Sequence, residues 1–293
     1  MANTLQLRSG RSLEFREYGA SGGHPIIFFH GLIGSHHQAS YIDDQARRHA
    51  LRIIAPNRPG VGKSAFVRRR SALEAVADVE DLAATLGIGE FSVIGISGGT
   101  PYALAVLLRL GARVRTATII SGMGPMHLPG GLLGMDRRRR VFLSIGARYP
   151  HLARRMFQQA AERFNSGPTR LLDRLIATWS RPDRQLFRRT DIYELFLRDL
   201  EAVFSQPHAA EGLAQELTIY RNYGFAPRDL PADRRVVLWH GLGDTIVPPS
   251  MAWAMARTLP SCEAHLVPGG HFVAVEVADA IITRLRQQLD ANP

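Results

Sequence analysis

The chain has 293 residues, enough for one large domain or two small ones, and a chain of this size buries roughly three-quarters of its unfolded surface. A single cysteine, Cys262, excludes an intrachain disulfide and a cysteine-rich metal site. Residues 1–20 hold no continuous apolar stretch, so neither a signal peptide nor a membrane span is expected and the expected location is the cytoplasm. The formal charge is +10, and 35 of the 36 basic residues are arginine, so acidic substrates, anionic membranes and nucleic acid all have to be weighed.

Residues 4–18 alternate as a hairpin around Ser9-Gly10-Arg11. An apolar run at 26–29 ends in His30-Gly31, and a second strand at 52–55 ends at Pro56-Asn57-Arg58-Pro59-Gly60, with a helix expected between them at 38–49. Residues 72–86 show helical spacing through Leu73, Val76, Val79, Leu82 and Leu86, and stop at Gly87. A strand at 91–96, a helix near 100–110 and a strand at 114–120 follow. Strands this apolar imply a parallel sheet covered on both faces. From 125 to 225 strand-like runs vanish. Helices are expected near 136–148, 151–164, 169–180, 191–204 and 209–221, broken by Pro150, Gly167-Pro168, Pro182 and Pro207. Alternation then resumes with a strand at 235–240, a helix at 249–258, a strand at 263–267 and a helix at 272–288. The expected organisation is a core of 1–124 and 226–293 interrupted by an all-helical insertion at 125–225.

The most informative stretch is Gly95-Ile96-Ser97-Gly98-Gly99. It lies between an apolar strand and a helix that opens on Pro101. A turn this sharp leaves no room two positions either side of the serine, where Gly95 and Gly99 stand. The hydroxyl is then exposed at a strand end beside a helix N-terminus, which favours developing negative charge. A serine hydroxyl needs a base, and the base needs a third group to hold its tautomer. Two later strands end in such groups: Gly241-Leu242-Gly243-Asp244 carries a carboxylate and Pro268-Gly269-Gly270-His271 an imidazole. Functional groups in an open parallel sheet gather outside the carboxyl ends of the strands. Asp244 has no rival after the preceding strand, where Ser121-Gly122-Met123-Gly124 lacks a carboxylate, and Asp279 falls within the last helix facing solvent.

In these motifs and their order the chain resembles the α/β-hydrolase family. The likeness runs from His30-Gly31 through Asn57-Arg58-Pro59-Gly60-Val61-Gly62-Lys63-Ser64, the serine turn, and Asp244 with Val247-Pro248-Pro249, to Gly270-His271-Phe272. The resemblance implies a mostly parallel eight-stranded sheet with helices on both faces, and it makes 125–225 the place of the family's cap. It implies Ser97 as nucleophile, His271 as base and Asp244 as the orienting acid. It implies an oxyanion hole from the backbone N–H groups of Leu32 and Gly98, with His30, Gly31, Gly95 and Gly99 in the supporting loops. Serine, where epoxide- and halide-processing relatives carry aspartate, implies acyl transfer. An ester hydrolase leads, and thioesterase, lactonase, amidase and carbon–carbon hydrolase stay open. So does a non-catalytic ligand receptor on the same fold.

Other features point to bland roles. Gly60-Val61-Gly62-Lys63-Ser64 resembles the end of a phosphate loop, but the full pattern needs glycine where Asn57 stands. His24 and His36-His37 lack partners at metal-ligand spacing, so no metal and no cofactor are expected. His127, His151 and His208 are read as surface residues. Arg68-Arg69-Arg70 and Arg137-Arg138-Arg139-Arg140 are read as solvated helix ends and loops, without interleaved aromatics, so no nucleic acid is expected. In the helical insertion Phe142, Leu143, Ile145, Met156, Phe157, Leu171, Leu175, Ile176, Trp179, Leu195, Phe196, Leu200, Phe204 and Tyr220 fall at helical spacings. Most are read as packing residues and a minority as an apolar roof, so the expected partner is a small apolar acyl compound.

Overall fold

The computed structural model describes residues 2–68 and 71–291; Arg69 and Arg70 of the first arginine run lie outside them. The N-terminal hairpin pairs β1 (Asn3–Gln6) with β2 (Ser12–Gly19). β3 (His24–Phe29) is followed by a 3-10 helix (His36–Ile42), α1 (Asp43–Arg48), β4 (Leu51–Pro56) and α2 (Ala75–Thr85). Next come β5 (Phe91–Ile96), α3 (Thr100–Leu110) and β6 (Val114–Ile120). An uninterrupted helical stretch then supplies α4 (Arg137–Arg148), α5 (Pro150–Ser166), α6 (Pro168–Ile176), α7 (Arg181–Leu186), α8 (Thr190–Phe204) and α9 (Ala209–Arg221). The chain closes with β7 (Val236–Gly241), α10 (Pro249–Thr258), β8 (Cys262–Val267), α11 (Val273–Glu276) and α12 (Ala278–Ala291).

The eight strands form one sheet in the order β1-β2-β4-β3-β5-β6-β7-β8. β2 is antiparallel to both neighbours and every other pair is parallel. Strand alternation explains why the inner strands are apolar throughout. Ile27, Phe29 and Val93 enter the core under α2 and α3, while Ile26, Phe28 and Ile94 enter the opposite core under α1 and α12. Between β3 and β5 the strand order reverses direction, which opens a crevice at the carboxyl rim. The loops after β3, β5, β7 and β8 share that rim because those strands run parallel. Among the described residues no helix is long and apolar enough to cross a membrane.

Three helix boundaries differ from the sequence-based expectation. The segment at 38–49 begins as a 3-10 helix and becomes α-helical only at Asp43. The helix expected at 169–180 ends at Ile176, and an additional helix, α7, starts at Arg181. Pro182 stands in the first turn of α7, where its missing N–H costs nothing, so it opens a helix instead of breaking one. The helix expected at 272–288 is two, α11 and α12.

One buried acid ties the helical stretch to the sheet. Asp199 on α8 accepts from the backbone N–H (2.9 Å) and hydroxyl (2.6 Å) of Ser35, in the loop after β3. Burial pushes its carboxyl up to about 7, although the hydrogen bonds from Ser35 oppose the shift. A carboxyl raised on folding contributes stability that is complete below its unfolded value and lost as pH rises through its folded value. Asp199→Asn keeps an acceptor for Ser35 and carries no charge. Thermal melts of Asp199→Asn should match the parent near about pH 4 and exceed it by roughly 5 °C near about pH 8. A difference that does not change with pH would contradict this account.

Candidate active site

β5 delivers Ser97 to the rim in a strained conformation. Its φ is +50°, one of three positive values among the described non-glycine residues. The turn closes this tightly because a Cβ on Gly99 would overlap the Phe29 carbonyl, and one on Gly95 would stand 2.9 Å from Ala103 Cβ. The Ser97 carbonyl is held by the Thr100 hydroxyl (2.7 Å) and the Met123 N–H (3.0 Å).

Ser97, His271 and Asp244 meet. His271 Nε2 lies 3.0 Å from Ser97 Oγ, and His271 Nδ1 lies 2.7 Å from Asp244 Oδ2. A carboxylate only accepts, so Nδ1 carries the proton and Nε2 is left to accept from the serine hydroxyl. Asp244 Oδ1 accepts from the Ile246 (2.8 Å) and Val247 (2.9 Å) N–H groups. His240 Nε2 donates to the Val247 carbonyl and stands 3.3 Å from Asp244 Oδ2. Burial alone would raise the Asp244 carboxyl. The charge of His271 and hydrogen bonds from His240 and His271 outweigh it and hold the group well below the usual carboxylate range. Burial alone would lower His271. The Asp244 charge and their shared hydrogen bond outweigh it, so the imidazole is raised above 6.5.

The backbone of His271 is also fixed. Asp183, at the start of α7, accepts from the His271 N–H (3.0 Å) and the Phe272 N–H (3.1 Å), while Ser180 donates its hydroxyl to the same carboxylate (2.6 Å). Gly270 allows this approach, because a Cβ there would overlap the Asp183 carboxylate. The Ser121 hydroxyl holds the His271 carbonyl at 2.7 Å. Neither Asp183 nor Ser121 was singled out from the sequence, and their only signals there, a capping Ser-x-x-Asp and a serine at a strand end, are common.

Leu32 and Gly98 stand side by side; a Cβ on Gly98 would lie 2.9 Å from the Leu32 nitrogen. Neither N–H finds an acceptor among the described residues. Their direction follows from peptide planarity, since a trans peptide points its C=O and N–H in opposite directions. The carbonyl paired with the Leu32 N–H is that of Gly31, which Arg58 binds; the one paired with the Gly98 N–H is the pinned Ser97 carbonyl. Arg58 also holds the Gly98 (3.1 Å) and Leu32 (3.3 Å) carbonyls. Its buried ion pair with Glu216 of α9 spans 2.8 Å, and Tyr102 donates to Glu216 at 2.8 Å. His30 donates from Nδ1 to the Gly31 carbonyl and accepts from the Arg58 N–H at Nε2, and the Gly31 N–H is taken by Gln38.

Above Ser97 lies a cavity of about 430 Å³. Most of the insertion's fourteen apolar residues pack in the core, as expected, but ten of them also line the cavity where a minority was expected; Ile145, Ile176, Leu195 and Leu200 do not. Of its lining, Trp179, Phe196 and Phe272 each pack edge to face with Phe187 or with one another, while Phe187 itself lies outside the lining. The histidines elsewhere have ordinary partners: His36 with the Tyr18 hydroxyl, His24 with Ser92, and His208 stacked on Phe66. Asp279 is exposed and paired with Arg48. Among the described residues no group of three or more His, Cys, Asp or Glu side chains is placed to hold a metal. Asn57 and Ser64 bind Glu14 and each other, so the Gly60–Ser64 loop is closed on itself.

The family model described as alpha/beta hydrolase fold matches residues 24–277. The chain belongs to that family. Among solved structures, this alpha/beta hydrolase is similar to a thermophilic esterase from Thermogutta terrifontis (20% identity, 99% of this chain and 98% of that one, TM-score 0.68). It is also similar to the enol-lactonase from Burkholderia xenovorans LB400 (16%, 98% and 100%, TM-score 0.70) and to the epoxide hydrolase CorEH (15%, 100% and 99%, TM-score 0.75). At these identities the likeness is one of fold. No curated protein matches the sequence.

Removing the Asp183 carboxylate leaves one buried and one part-buried N–H group without an acceptor. Asp183→Ala should cost about 1–3 kcal/mol in urea unfolding, and Asp183→Asn, which keeps one acceptor oxygen, clearly less. Equal losses in the two variants would show that the bonds to the His271 loop are not what the side chain supplies.

Proposed function

We propose that this chain is a serine hydrolase that cleaves a carboxylic ester or a related acyl bond through an acyl-enzyme. The observation that carries the reading is the continuous hydrogen-bonded chain Ser97–His271–Asp244 at the floor of the cavity. Ser97 Oγ attacks the carbonyl carbon while its proton passes to His271 Nε2. Asp244 holds the tautomer and stabilises the imidazolium that forms. The carbonyl oxygen becomes an oxyanion that accepts from the Leu32 and Gly98 N–H groups, whose preset direction leaves little to reorganise. His271 then gives its proton to the departing alkoxide, and a water deprotonated by the same nitrogen releases the acid. Residues 125–225 act as a cap whose apolar side chains roof the pocket. A cavity of about 430 Å³ suits a small, largely apolar substrate. A serine at the turn favours this chemistry over epoxide opening; thioesters, lactones, amides and activated carbon–carbon bonds are cleaved by the same machinery.

A fluorophosphonate probe should label Ser97, and para-nitrophenyl butanoate should give a burst of nitrophenol equal to the enzyme present. Ser97→Ala should abolish both, and Asp244→Asn should lower turnover by about 10⁴-fold with the fold intact. Labelling that persists in Ser97→Ala would overturn the assignment. The pH dependence follows from the base. His271 acts only when neutral, and its raised value moves the midpoint of the rising limb of kcat/KM above 6.5. A limb centred below 6.5 would contradict the pairing with Asp244.

A further inference from the structure

The cavity above Ser97 contains one side chain that its apolar walls do not explain. Of the run Arg137-Arg138-Arg139-Arg140, Arg139 alone lines the cavity; the other three are exposed. The helix sets this selection. Asp136 caps α4 by accepting from the Arg138 and Arg139 N–H groups, and Arg139 then shares one face with Phe142 and Leu143, three and four residues on. Both of those side chains line the cavity too. The run expected to be solvated thus turns one guanidinium inward.

That guanidinium is anchored but not neutralised. It donates through one arm to the Thr245 carbonyl, in the loop that carries Asp244. Among the described residues it forms no ion pair, and no carboxylate lines the cavity. The acids whose charge it feels from a distance, Asp244, Asp136 and Asp183, are engaged elsewhere. Asp244 serves His271 and two backbone N–H groups, Asp183 serves the His271 and Phe272 N–H groups, and Asp136 caps α4. An arginine stays protonated at neutral pH and carries five N–H donors in a planar fork that matches a carboxylate. An anchored cation without an ion-pair partner, on the apolar wall of the cavity that also holds the Ser97 hydroxyl, is a receptor for an anion within the same ligand.

We propose that the substrate is an acyl compound that carries its own carboxylate, bound by Arg139 beside the Asp244 loop. This rests on the reading of Ser97 as the nucleophile and adds the substrate class to it. The short hydrocarbon between carboxylate and reacting carbonyl lies along the wall that Phe142 and Leu143 provide.

The test uses two pairs of esters. Mono-para-nitrophenyl glutarate and para-nitrophenyl pentanoate place a carboxylate or a methyl at the end of the acyl chain. 4-Butanoyloxybenzoate and 4-methylphenyl butanoate do so on the leaving group. The parent protein should prefer the anionic member of at least one pair by about 10–100-fold in kcat/KM, and the preference should shrink as salt is raised. Arg139→Gln should erase it, mainly through KM, and Arg139→Lys should restore part of it. In the parent alone, glutarate should inhibit competitively and more strongly than pentanamide, so the inference can fail even if the variants do not fold. Equal rates within both pairs, or a preference that survives in Arg139→Gln, would overturn it. Labelling of Ser97 by the fluorophosphonate separates the two claims. Labelling with flat selectivity removes only the carboxylate, whereas no labelling removes the hydrolase reading and this inference with it.

Discussion

A carboxylate sealed from water is the constraint around which the rim of this sheet is arranged. The Asp244 side chain has no exposed surface, and an unpaired charge in that position would cost several kcal/mol. It stays ionised because it is met from three directions: two N–H groups of its own loop, His240 on β7, and His271 after β8. The solvation that water would supply is therefore built from parts of two adjacent strands and their loops. The imidazole that completes this shell is the same one that reaches Ser97. The need to satisfy a buried charge and the presentation of a base to a hydroxyl are thus one interaction.

The helical stretch between β6 and β7 reaches back into that rim at several points. Asp183 holds the backbone of His271, Glu216 pairs with the arginine that sets the Gly31 and Gly98 peptides, and Asp199 takes both donors of Ser35. Each contact places an acid from the helices on a loop that follows a strand. Removing one partner of a buried pair such as Arg58 and Glu216 strands the other charge, so the loss of either side of such a contact is felt by both the helices and the loop. The helical stretch and the loops after β3, β4 and β8 are consequently positioned by the same residues.

The parts legible in the sequence are those with short-range causes. Apolar strands of four to eight residues announce a buried parallel sheet, and the small residues around Ser97 follow from the steric needs of one turn. Asp244 and His271 stood out because each follows a recognisable strand. What escaped the sequence depends on contacts between distant residues. Asp183 meets His271 across 88 positions, and Arg58 meets Glu216 across 158, so nothing local marks either. Pro182 was misleading because a proline breaks a helix interior but opens a helix from its first turn. The arginine run looked uniformly solvated, since only the rotation of α4 against the cavity distinguishes Arg139 from its neighbours. The insertion's aromatic residues both pack and line the cavity, because helical spacing reports that a face is covered but not whether a neighbouring helix or a cavity lies against it.

The central claim is that Asp244 keeps the proton of His271 on Nδ1 and leaves Nε2 to accept from Ser97. Proton NMR of the imidazole tests it most directly. The account predicts a far-downfield Nδ1 proton, slow to exchange, whose ionisation midpoint lies above 6.5 and whose signal disappears in Asp244→Asn. A proton found on Nε2 in the neutral protein, or a midpoint unmoved by Asp244→Asn, would contradict it.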